Sequence, residues 1–164
     1  MKKTFFLIFF MRVFYTINAQ TISASPGWNI SIPASTITEA GNNYTTNATS
    51  AVNQTFVNFT IPGGYRTTYT VKIHKVDSDW HSNLSLWAQR TGSGTENYFI
   101  LQGTITNGST FIQLTSSPQT FFTGTLGLFA TGRTNIPIQY EIRGISVLLP
   151  VKTYSTTVVY TISN

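Results

Sequence analysis

The densest group of ionisable side chains is HKVDSDWHSN, residues 74–83. Asp77 and Asp79, with His74 and His81 close by, offer oxygen and imidazole donors of the kind that hold divalent ions. The set is incomplete for either common centre. A calcium loop needs a further acid and a fixed glycine, and structural zinc needs cysteine or a third histidine, of which the chain has none. The run therefore reads as an aspartate-rich turn between two strands, with His74 on the solvent face of its strand, and no metal is expected. The carboxylates are Glu39, Asp77, Asp79, Glu96 and Glu141, and only the two aspartates are neighbours. A hydrolase using Asp77 or Asp79 as its catalytic carboxylate is a third reading, behind two non-catalytic ones. No serine sits in a Gly-x-Ser-x-Gly elbow, and the glycine pairs Gly92/Gly94 and Gly124/Gly127 are not followed by a helix that would cradle phosphate. Neither catalysis nor a cofactor is expected.

Aromatic side chains are the richer resource. Trp28, Trp80 and Trp87 are candidates for stacking on sugar rings, through contact of the indole face with sugar C–H groups. Trp80, in the polar Asp79-Trp80-His81 stretch, is the one whose neighbours predict exposure. Trp87 is out of phase with Leu84, Leu86 and Ala88 and so belongs to the other face of its strand. The competing reading places all three in the core or capping its open end, because tryptophan buries so much area.

Short runs in which apolar residues alternate with Thr, Ser, Asn or Gln carry these side chains, and helical periodicity is absent from residues 20–164. Trp28, Ile30 and Ile32 alternate up to Pro33. Residues 56–61 form the next run, closed by Gly63-Gly64. Tyr69, Val71 and Ile73 share a face opposite Thr70, Lys72 and His74. Leu84, Leu86 and Ala88 follow, then residues 98–105 and 110–114 flanking Asn107-Gly108, which predicts a β-hairpin because both residues tolerate positive φ. Residues 120–123, 136–142, 145–149 and 154–162 complete about nine strands, with a kink at Gly144. With no crossover helix the strands pair antiparallel. The expected fold is all-β, an immunoglobulin-like antiparallel sandwich with a jelly roll as alternative. Residues 34–53 are the least patterned and read as a long connection or functional loop.

Residues 1–19 have two lysines, an apolar run from Phe5 to Met11 and a small residue at Ala19 behind Ile17, the layout of an export leader. Residues 20–164 then form one domain, exported to the periplasm, cell surface or medium. The formal charge of +5 falls to +2 once Lys2, Lys3 and Arg12 are removed. The remaining basic residues form no stripe, which sets nucleic acid aside. With no cysteine, the core must hold the domain without disulfides. Seven Asn-x-Ser/Thr triplets accompany an Asn-, Ser- and Thr-rich composition, and glycosylation is not assumed.

In the final run Tyr154, Val158, Tyr160 and Ile162 share one face. At a sheet edge this strand would be open to pairing with another molecule. The stretch IPIQYEIRGISVLLPVKTYSTTVVYTISN, with its Tyr154-x-Thr156-x-Val158-x-Tyr160 ending and a turn after Pro150, resembles the C-terminal portion of spore coat U-type domains of secreted and pilus-like bacterial proteins. The chain differs from them in lacking cysteine and in carrying Val151-Lys152-Thr153 where glycine is usual. The resemblance implies a fibre- or coat-forming sandwich completed by a neighbour's N-terminal extension, for which residues 20–25, with Ile22 and Ala24 alternating, are the candidate. Taken together, a non-catalytic structural or adhesive surface protein is expected, partnered by copies of itself or other surface subunits. The alternative is a polysaccharide-binding module using its tryptophans.

Overall fold

Alternating apolar and hydroxyl-bearing side chains bury one face of a strand and wet the other, and this pattern organises the chain into two antiparallel sheets. A computed structural model describes residues 19–32, 47–62, 65–97 and 100–164. Among these there is no helix.

The larger sheet contains β1 (Thr21–Ser25), β2 (Ala48–Thr49), β3 (Thr55–Thr60), β5 (Ser85–Arg90), β6 (Thr95–Glu96), β8 (Ile112–Gln113) and β10 (Gly132–Arg143). Its order is β1-β3-β10-β5-β8. β10 is the spine: β3 and β2 pair along one flank, β5 and β6 along the other. The smaller sheet is β11-β4-β9-β7, built from β4 (Thr68–Asp79), β7 (Thr104–Thr106), β9 (Gln119–Thr125) and β11 (Ser155–Ser163). Every strand pairing is antiparallel.

The two sheets face each other as a β-sandwich. Val57, Phe59, Leu86, Ala88, Ile136 and Ile138 from the larger sheet meet Tyr69, Val71, Ile73, Phe121 and Phe122 from the smaller. Each of the valine, leucine, isoleucine and phenylalanine side chains stabilises the fold by about 1.5–3 kcal/mol relative to leaving it exposed. Phe121 and Phe122 are both buried although adjacent, because β9 bulges there: Phe122 pairs with Val71 and Thr120 with Lys72, leaving Phe121 without a cross-strand partner.

Several expected elements are placed differently. Residues 28–32 alternate but form no strand; the strand is β1, which ends before Pro26-Gly27, where proline lacks a ladder donor. Residues 20–25, the candidate extension for a neighbour, thus lie largely in β1, paired with β3 of their own sheet. Residues 145–149 form no strand either, and a turn closes from Leu149 N to Ser146 O at 3.1 Å. The aspartate-rich turn is absent: Asp77 and Asp79 are the end of β4, opposite Thr156 and Ser155 of β11. The Asn107-Gly108 turn exists, with φ of 67° and 75°, but its flanks join different sheets: β7 pairs with β9 and β8 with β5, so it is not a hairpin. Gly144 makes the expected kink at φ 86°. The export leader, apart from Ala19, residues 34–46 of the long connection and Gly63-Gly64 lie outside the described residues.

Candidate functional site

β11 is an edge strand of the smaller sheet, paired on one side with β4. The sequence puts it there because one face is apolar while the other carries Ser155, Thr157, Val159, Thr161 and Ser163. Val158, Tyr160 and Ile162 pack against the core, as their alternation predicts. Tyr154 precedes the strand; its hydroxyl donates to Pro150 O at 2.7 Å and its ring meets His81 edge-on at 6.1 Å. Among the described residues, the strands that end the two sheet orders are β8 with two residues, β7 with three, β1 with five and β11 with nine, the last with neither charge nor proline. Short length, lysine and proline are the usual protections of an edge, and β11 lacks all three.

Beside β11 the two sheets part around a cleft of about 1140 Å³. Tyr140 and Ile142 of β10 and Leu86 of β5 form one wall; Val158 and Tyr160 form the other. Segments 26–32 and 145–154 flank it. The Tyr140 and Tyr160 hydroxyls meet at 2.8 Å and tie the sheets together. Burial pushes both hydroxyls above the ordinary tyrosine pKa of 10.0, Tyr160 well above it.

This cleft brings together Trp28 and Trp80, which are 52 positions apart in the chain. Trp28 stacks on Tyr140 with ring centroids 6.3 Å apart and planes at 10°. Trp80 is half-buried rather than exposed as its polar neighbours predicted: its Nε1 donates to Leu84 O at 2.8 Å, and Lys75 Nζ lies 5.6 Å from the ring centroid. Trp87 is not part of the cleft. It lies on the outer face of the larger sheet, with the Arg143 guanidinium 3.9 Å above its ring.

The ionisable run of residues 74–83 is dispersed. Asp77 pairs with Lys75 and accepts from Thr156 Oγ1 at 2.7 Å, and Asp79 pairs with Lys152. Among the described residues no three His, Asp or Glu side chains converge on one point.

At the opposite end of β10 lies a polar cluster that sequence reasoning missed. Arg133 Nη2 donates to Glu96 Oε1 at 2.7 Å with both side chains buried, and the Glu96 carboxylate also accepts from Gly103 N at 3.0 Å and Gly127 N at 3.2 Å. Arg90 donates to Asn107 O and Gly92 O at 2.9 and 2.8 Å, holding the turn between the sheets. Arg90 was legible, since it continues the buried phase of Leu84, Leu86 and Ala88. The Glu96–Arg133 partnership has no local signal. These groups satisfy loop backbone atoms, while the buried Arg133 Nε has no hydrogen-bond partner among the described residues.

No protein-family model matches the chain, and neither a curated protein nor a solved structure matches it.

Proposed function

We propose that this chain is a non-catalytic structural component of an exported, cell-surface assembly, and that copies associate by strand addition at β11. The observation that carries this reading is the nine-residue edge strand, uncharged and free of proline and the longest outer strand among the described residues. Main-chain groups along such an edge supply directional hydrogen bonds to an incoming strand, and its hydroxyl, β-branched and tyrosine side chains carry no charge to repel one. The layout of residues 1–19 supports export, and a nearly neutral, hydroxyl-rich composition suits close lateral packing.

The test is the mass of the purified protein in solution across a range of concentrations, compared with the double variant Val159→Glu, Thr161→Glu. Both positions are on the outer face of β11, opposite His74 and Lys72, so the new carboxylates suit the chain's own sheet while repelling each other across two β11 strands. The expected result is concentration-dependent oligomers for the parent and monomers for the variant, with association of the variant partly restored by salt. A parent that is monomeric at every concentration, or a variant that assembles as well as the parent in low salt, refutes strand addition at β11.

A further inference from the structure

Charge and shape together restrict what the inter-sheet cleft can hold. Among its described lining residues Lys152 alone carries a formal charge, and its ammonium is already engaged by Asp79. No carboxylate lines the cleft among those residues, so nothing there compensates a charged ligand. Two indoles, Trp28 and Trp80, lie among aliphatic walls, each with a protein group against one side of its ring: Tyr140 for Trp28, Lys75 for Trp80. Around them Asn29, Ser31, Ser146 and Thr153 supply neutral hydroxyl and amide groups. The volume, about 1140 Å³, exceeds the about 300–1,000 Å³ typical of small-molecule pockets, which favours a chain of several units over a single small ring.

We infer that this cleft is a binding site for a neutral polysaccharide, with Trp28 and Trp80 as the side chains against which sugar rings stack. Sugar rings present axial C–H groups to an aromatic face and hydroxyls at their edges, which match indoles and a rim of uncharged donors and acceptors. An anionic glycan would place carboxylates against a cleft whose one cation is already paired. The cleft and the β11 edge share a strand, since residues 155–158 and Tyr160 line the cleft, but the two readings can be tested apart because Val159 and Thr161 are not among the lining residues.

The test is affinity electrophoresis of the purified protein in gels containing hydroxyethyl cellulose, laminarin or galactomannan, with polygalacturonate as the anionic comparison. The expected result is retardation by at least one neutral polysaccharide and none by polygalacturonate, with apparent affinity at least tenfold lower in Trp28→Ala and in Trp80→Ala and unchanged in Trp87→Ala. Near-ultraviolet circular dichroism reports whether the two cleft variants keep their packing. Thr153→Trp, at an exposed lining position, fills the mouth without removing a core contact and is expected to weaken retardation equally. Val159→Glu, Thr161→Glu is expected to bind like the parent even where it no longer assembles. No retardation in any of the three neutral gels overturns the inference, as does equal retardation by polygalacturonate. So does binding that survives Thr153→Trp, or that falls as much with Trp87→Ala as with Trp28→Ala. An apolar peptide as the true occupant would show itself as silence in all four gels.

Discussion

Glu96 and Arg133, 37 positions apart, illustrate how a charge can belong to the interior. Taking two ions out of water is costly, and the pair persists because Glu96 gathers two backbone N–H groups besides the guanidinium while Arg133 also reaches Ser93 O at 3.0 Å. Removing one partner strands the other, so Glu96→Gln is expected to lower unfolding stability by about 3–5 kcal/mol in urea titration. Lys152→Ala, at an exposed pair with Asp79, is expected to leave the midpoint almost unmoved. The Tyr140–Tyr160 contact makes a second prediction. Because burial raises the Tyr160 hydroxyl pKa in the folded protein above its unfolded value, the linked stability is complete below about pH 10 and is lost as pH rises through that region and beyond. Unfolding midpoints measured from pH 8 to 11 should therefore fall less steeply in Tyr160→Phe than in the parent. An equal slope would show that other groups carry the alkaline loss.

For single elements, the alternation of small polar and apolar residues was legible wherever both faces of a strand had distinct fates. β3, the first half of β4, β5, β9, β10 and β11 all lie where their patterns place them. Two failures have a common physical cause. Trp28, Ile30 and Ile32 alternate like a strand but follow Pro26-Gly27 and flank the cleft unpaired, with Trp28 and Ile32 half-buried and Ile30 exposed, so here periodicity recorded neither pairing nor full burial. Asn107-Gly108 specified the backbone of its turn but not the destination of its arms, which separate because Arg90 and the Gly108 carbonyl dock the turn across the end of β5. The turn itself is exacting: a Cβ at position 108 would sit 2.9 Å from Phe121 O on a backbone of φ +75°. Gly108→Ala is accordingly expected to cost about 1–3 kcal/mol, read as a lowered thermal midpoint with the fold retained.

At the scale of the whole molecule, the sandwich holds the segments bearing Trp28 and Trp80 and the longest described outer strand on the same side. β1 and β11, the outermost strands of opposite sheets, approach where Gln20 meets Asn164, and the cleft opens further along the same seam. None of this was readable from the chain. Sheet order depends on which long-range pairings close, and the cleft is the space left between sheets once they have closed. What the sequence did specify was the two-faced character of β11, and that character decides what an edge can do once topology places the strand there.

The measurement that bears most directly on assembly through β11 is amide hydrogen exchange of the protein at a dilute and at an associating concentration. Association through this edge predicts that the amides of residues 155–163 that point away from β4 slow markedly at the higher concentration, while those of β1, β7 and β8 keep their dilute rates. Unchanged exchange in β11, or protection confined to another surface, would contradict it.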